Sequence, residues 1–126
     1  MKHKCFTFGY QGKSVEALKR QLQTHGALLI DIRCSPFSKS RSWGHNELRA
    51  ALGDDYLWLP DLGNLNYKGG PIRIANMEKG CKTVLDLLQR RSVVLMCVCP
   101  KIENCHRNRV AGELEAIEQG LIIEEL

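Results

Sequence analysis

The chain predicts an α/β fold in which a mostly parallel sheet of about five strands is flanked by helices. Three observations carry that expectation. Short apolar runs alternate with helical patterns along all 126 residues. Two of the runs, Ala27-Leu28-Leu29-Ile30-Asp31-Ile32 and Val93-Val94-Leu95-Met96, are almost continuous in apolar side chains, as strands covered by helices on both faces are. Glycines and capping residues fall where one pattern gives way to the next.

Phe6-Thr7-Phe8 reads as the first strand, closed by Gly9 and Gly12. Ser14 is placed to cap a helix carrying Val15, Leu18 and Leu22, and Gly26 ends it. The run 27–32 is the second strand. A polar loop follows, Cys34-Ser35-Pro36-Phe37-Ser38-Lys39-Ser40-Arg41-Ser42, and Asn46 is the expected cap of a short helix through Leu48 and Leu52. Tyr56-Leu57-Trp58-Leu59 gives the third strand, stopped by Pro60, which has no N–H to donate. The segment through Gly63, Gly69, Gly70 and Pro71 is longer than an ordinary connection, which marks it as a binding segment or a flap. Met77, Cys81, Val84, Leu85 and Leu88 keep helical spacing in spite of Gly80, and Arg90 and Arg91 suit that helix's negative end. The fourth strand is predicted over Val93 to Cys99. Asn104 is the expected cap of a last helix with Val110, Ala111, Leu114 and Ile117 on its inner stripe; Gly120 ends it and Leu121-Ile122-Ile123 forms the fifth strand.

At 44% hydrophobic, the chain is expected to form one domain over residues 1–126 around a single core. It has no apolar stretch near the roughly 18 residues a membrane span requires, and Met1-Lys2-His3-Lys4 runs into a strand-like segment rather than a signal-peptide core. A cytoplasmic protein with no membrane partner is expected. Six cysteines are too few for a disulfide scaffold of this size, so reduced thiols are expected. The net charge of +4 is unevenly placed: residues 1–50 hold nine Lys and Arg against three Asp and Glu, and the remainder nine against eleven.

Chemistry-bearing residues gather at strand ends. Asp31 and Arg33 stand two apart at the exit of the second strand and so share a face. Cys97, Cys99, Cys105, His106 and Arg107 fall within eleven residues at the exit of the fourth. On a helix of 100° per residue with Val110 at zero, His106 and Arg107 lie at about −40° and +60°, on the buried side, and Cys105 about 140° away. A buried Asp31 needs a partner, and the expected one is Arg107 or His106, leaving Arg33 for a ligand. The plain alternative is a closed salt-bridge network that ties helix to sheet.

The segments after the strands supply Arg33, Lys39, Arg41, Lys68, Arg73, Lys101, Arg107 and Arg109 against few acids, which points to an anion site at the carboxyl ends of the strands. Gly9, Arg33, Ser38, Arg41, Cys105 and Arg107 are the expected ligand-binding residues. Trp43 and Tyr67-Lys68 interleave aromatics with bases, an arrangement that stacks nucleobases; Trp43 equally suits a loop anchor. The thiols admit metal ligation, a nucleophile (Cys99 before Cys105) or core filling. Cys-x-Cys on a strand is not the usual zinc spacing, and no metal or cofactor is assigned. Cys5 and Cys81 read as core fillers, and Cys34 as a secondary reactive candidate.

These motifs resemble the family catalogued as domain of unknown function 488. Thr7-Phe8-Gly9-Tyr10-Gln11-Gly12-Lys13-Ser14 is similar to its opening motif, and Asp31-Ile32-Arg33 with Pro36-Phe37-Ser38 to its central one. Tyr56 through Leu62-Gly63 is similar to its third, and Cys97 with Cys105-His106-Arg107 to its last. The resemblance implies an α/β domain and no reaction. The chain departs from it at Cys99, where the family usually carries an acid, and at Lys39, where it carries an arginine. A rhodanese-like sulfurtransferase is the rival resemblance, through Leu29-Ile30-Asp31-Ile32-Arg33, Gly44-His45 and Val93 to Cys97; Pro100, lacking an N–H, breaks the loop that would cradle a persulfide.

The resulting expectation is a phosphate-bearing small molecule, nucleotide or nucleic acid bound at the strand ends. Were the protein an enzyme, His106 would be the acid/base, oriented by Asp31, with Arg33 and Arg107 on substrate charge. A non-catalytic module using the same basic face competes with that reading. Nothing in the sequence specifies an oligomeric state.

Overall fold

The computed structural model describes residues 3–36, 42–98 and 106–126. Ser38, Lys39, Arg41, Cys99, Pro100, Lys101, Asn104 and Cys105 lie outside the described residues. Within them, five strands form one parallel sheet: β1 (Cys5–Gly9), β2 (Leu28–Asp31), β3 (Tyr56–Trp58), β4 (Val93–Cys97) and β5 (Ile123–Glu125), in the order β3-β2-β4-β1-β5. Four α-helices flank it: α1 (Val15–His25), α2 (His45–Leu52), α3 (Met77–Leu88) and α4 (His106–Ile117).

The central strand, β4, is buried at every position, as its apolar run requires. It aligns Val93 with both Cys5 of β1 and Leu28 of β2. Its alternating side chains feed two cores. Phe6, Phe8, Leu29, Val94 and Met96 face α1 and α2 through Leu18, Leu22, Leu48 and Leu52. Ile30, Ile32, Val93, Leu95 and Cys97 face α3 and α4 through Cys81, Val84, Leu88, Val110 and Leu114. Burying each of these leucines contributes about 1.5–3 kcal/mol, so packing rather than propensity fixes helices this short.

Helix ends follow from local chemistry. The Ser14 hydroxyl accepts from the Ala17 N–H at 3.2 Å, and Gly26 closes α1 at φ 60°, a conformation that favours glycine. Asn76 caps α3 by accepting from Lys79 N–H. The cap of α2 differs from the expectation: Gly44 precedes the helix without a side-chain bond, and Asn46 lies inside the first turn. Ile117 also departs from the expected stripe, being half exposed because α4 stops there, and β5 begins at Ile123 rather than Leu121. No described helix is long and apolar enough to cross a membrane.

The long connection after β3 is hydrogen-bonded into a hairpin-like flap. Leu65 N–H donates to Arg73 O and Ala75 N–H to Gly63 O, Asn64 bridges Ile74 antiparallel, and Gly69 and Gly70 turn the chain at φ 148° and 100°. Its base is pinned where Gly63 lies so close to the β2 exit that a Cβ would fall 2.6 Å from Cys34 Cα. Gly63 has an ordinary φ, so only the contact demands glycine there. Substituting Gly63→Ala is expected to lower unfolding free energy by about 1–3 kcal/mol in urea titrations, because backbone must shift against backbone; an unchanged midpoint would refute the contact.

Candidate functional site

The connections decide where a crevice opens. Strands β1 and β2 exit towards α1 and α2, whereas β4, between them, exits to α4 on the opposite face. Chains that leave adjacent strands in opposite directions open a cleft beyond the sheet. On the β1 side the cleft is closed, because Tyr10 N–H and Gln11 N–H bond to Cys97 O and Val98 O. On the β2 side a cavity of about 480 Å³ remains, lined by Arg33, Cys34 and Ser35 after β2, by Cys97, Val98 and His106 around β4, and by the flap.

Asp31 is wholly buried and accepts four hydrogen bonds. Arg33 supplies three, from its N–H at 3.1 Å and Nε at 2.8 Å to Oδ1 and from Nη2 at 2.7 Å to Oδ2; Tyr56 Oη–H supplies the fourth at 2.6 Å to Oδ2. A buried carboxylate is tolerable only when compensated in this way. Burial alone would lower the Arg33 pKa, but the hydrogen bonds and charge of Asp31 outweigh it and keep the guanidinium protonated. Burial, followed by the Asp31 charge, pushes the Tyr56 hydroxyl far above its ordinary value, so it remains a donor. His45 Nδ1 lies 3.2 Å from Tyr56 Oη, and Trp58 Nε1–H donates to Arg33 O at 2.9 Å. Arg33 Cζ stands 5.2 Å from the Tyr10 ring centroid, and Tyr10 stacks on Trp43 at 4.8 Å.

This corrects the expected partnership. Asp31 pairs with Arg33, not with Arg107 or His106, and the reason is the pleat: Asp31 follows Leu29 onto the α1/α2 face, while α4 packs on the other. Arg107 and His106 do turn inward, but to different strands. Arg107 is fully buried, donating from Nη1 to Cys97 Sγ at 3.1 Å and from Nη2 to Glu125 Oε1 at 2.5 Å, so it ties α4 to β4 and β5 and does not line the cavity. His106 Nε2–H donates to Ile32 O at 2.7 Å, so a backbone carbonyl rather than Asp31 orients the ring. Desolvation lowers the His106 pKa below its ordinary value, and the Arg107 charge adds to this against the opposing Ile32 bond. The neutral imidazole then carries its lone pair on Nδ1.

Gly9 aligns with Cys97 inside the sheet and does not line the cavity. Trp43 is a buried anchor, not a stacking surface. Ser38, Arg41, Cys99 and Cys105 lie outside the described residues. Cys5 and Cys81 are buried free thiols pushed up to about 12 and about 11, chiefly by burial, which leaves them protonated and inert. Cys34, also free, lines the cavity half-buried. Cys97 departs from the expectation of reduced thiols: it is disulfide-bonded.

Sequence reasoning missed Tyr56 and His45 as supports of Asp31, and Asn64, Asn66 and Ile72 as cavity lining. The signal for the flap residues was the length of the connection; for Tyr56 it was a buried carboxylate one strand away. A family model described as "Domain of unknown function DUF488" matches residues 14–114. The chain belongs to this family. The DUF488 match contains Asp31, Arg33, Tyr56, the whole flap and His106, so both halves of the site lie within the family's own boundaries. No curated protein and no solved structure matches the chain.

Breaking the network has a defined expected cost. Tyr56→Phe removes one donor from a buried charge and should destabilise by about 1.5–3 kcal/mol. Asp31→Asn, which leaves Arg33 uncompensated, should cost about 3–5 kcal/mol, more than Asp31→Leu combined with Arg33→Met, and urea titration of the three variants measures the order. The His106 shift predicts a pH slope: its folded pKa lies below the unfolded value of 6.5, so its contribution is present above that value and is lost as pH falls below it. Unfolding midpoints between pH 7.5 and 5 should therefore fall less steeply in His106→Gln than in the native chain.

Proposed function

We infer that this DUF488 protein binds a phosphate-bearing ligand in the cavity between the β2 and β4 exits, and that His106 acts there as a general acid/base. The observation that carries the reading is the guanidinium of Arg33. Asp31 has filled its four acceptor positions, and Arg33, a residue that lines the cavity, keeps a buried Nη1 with no acceptor. An unmade hydrogen bond of a buried donor costs about 1–3 kcal/mol, so an oxygen-rich anion that supplies the acceptor would be stabilised by relieving it. Guanidinium groups suit phosphate and carboxylate by geometry as well as charge.

The remaining lining fits this role. His106 opens α4, so the positive end of that helix's dipole favours an anion at the same place. An imidazole oriented by Ile32 O, with a pKa lowered by burial, is neutral at neutral pH, the form a general base needs. Asp31 acts through Arg33: saturated with donors, it fixes the guanidinium in place rather than touching substrate.

The test uses inorganic phosphate and a panel of phosphate esters at low ionic strength. Phosphate should raise the melting temperature of the native chain saturably. Arg33→Lys keeps a cation beside Asp31 but loses Nη1, and should fold yet lose that stabilisation. His106→Gln should retain phosphate binding and lose turnover of whichever ester the native chain cleaves. Binding without turnover across the panel would assign a non-catalytic module, and phosphate stabilisation that survives Arg33→Lys would overturn the anion site.

A further inference from the structure

The flap places two carboxamides on the cavity, and backbone hydrogen bonds fix which way each points. Asn64 Oδ1 accepts from both Asn66 N–H and Arg73 N–H at 3.0 Å, so its carbonyl is used within the flap and its Nδ2 is the end left to donate. Asn66 is held the opposite way: its Nδ2 donates to Pro71 O at 2.7 Å, which leaves Oδ1 to accept. Both residues line the cavity, half-buried, and neither freedom of rotation nor an amide flip is open to them without losing those bonds. The flap therefore offers one fixed donor and one fixed acceptor.

Beside them stands Tyr67, 55% exposed, with Lys68 Nζ 5.8 Å from its ring centroid; Ile72 and Val98 complete an apolar wall. An exposed aromatic face next to a preset donor and acceptor is complementary to a planar heteroaromatic ring bearing an acceptor and a donor on one edge. Every nucleobase has such an edge, and base stacking on an aromatic side chain tolerates any of them. At about 480 Å³ the cavity has the size of a small-molecule site, with room for a ring and an anionic group together.

We propose that the cavity recognises a nucleotide unit, its base stacked on Tyr67 and read by Asn64 Nδ2 and Asn66 Oδ1, its phosphate held at Arg33. This rests on the anion reading above for the phosphate, and on the flap alone for the base. The nucleotide can be free or part of a single strand. Its chemistry is the same in both.

Calorimetric titration of the full chain with inorganic phosphate, the four common nucleosides, their 5′-monophosphates and a 5′-phosphorylated oligonucleotide separates the parts. At least one monophosphate should bind about tenfold or more tighter than both its nucleoside and phosphate. Tyr67→Ala, at an exposed position, should weaken that monophosphate by about tenfold while leaving phosphate unchanged. Asn64→Asp keeps the acceptor for both backbone N–H groups but loses the donor, and should weaken the neutral nucleoside, on which the added charge has no direct pull. Stronger binding of the oligonucleotide than of the monophosphate assigns a strand, and the reverse a free nucleotide. Phosphate binding as tightly as every monophosphate, or Tyr67→Ala without effect on them, overturns the nucleotide assignment and leaves the anion site standing. Nucleosides binding as tightly as monophosphates, with no phosphate binding, overturns the anion site and leaves the base subsite standing. No binding of any probe overturns both.

Discussion

A carboxylate at the centre of a protein cannot be left alone, and the burial of Asp31 at the end of β2 organises everything around the cavity. Its charge holds Arg33 back over the strand it comes from, adds to burial in keeping the Tyr56 hydroxyl protonated, and through Tyr56 reaches His45 at the start of α2. The guanidinium so fixed lies against Tyr10, itself stacked on Trp43. Strands β1, β2 and β3 and the start of α2 are thus joined around Asp31 by polar and aromatic contacts. That arrangement leaves one nitrogen of Arg33 without an acceptor.

The opposite face of the sheet supplies the other half. Adjacent residues at the start of α4 point 100° apart, so His106 reaches towards β2 while Arg107 spans to β5. One lines the cavity; the other ties α4 to β4 and β5. Their roles differ because α4 crosses from β4 towards β5, away from Asp31. The cavity lies where these two halves meet, roofed by a flap whose own hydrogen bonds preset its polar groups.

Much of this was legible in the sequence, and the parts that were not share a cause. The continuous apolar runs announced β2 and β4, the Ser14 and Gly26 caps bounded α1, and the 3.6-residue period turned His106 and Arg107 inward. Asp31 and Arg33 were visible as neighbours on one face, and the need for a partner was visible too. The partner itself was misassigned because sequence periodicity says which side chains share a face but not which helix covers it; only the strand order β3-β2-β4-β1-β5 settles that. Tyr56 escaped notice for the same reason, since its nearness to Asp31 depends on β2 pairing with β3. Asn64 and Asn66 carried no periodic signal, because hydrogen bonds inside an irregular loop, not hydrophobic burial, determine where they point.

The claim on which the rest depends is that Arg33 is held by Asp31 with a donor to spare. Arginine side-chain NMR of the native chain, titrated with inorganic phosphate at constant ionic strength and assigned by the resonance missing from Arg33→Lys, tests it directly. The account predicts a guanidinium signal that is already slow to rotate without ligand and that shifts saturably as phosphate occupies Nη1. A freely rotating Arg33 before addition, or one that stays put while the exposed arginines move, would contradict it.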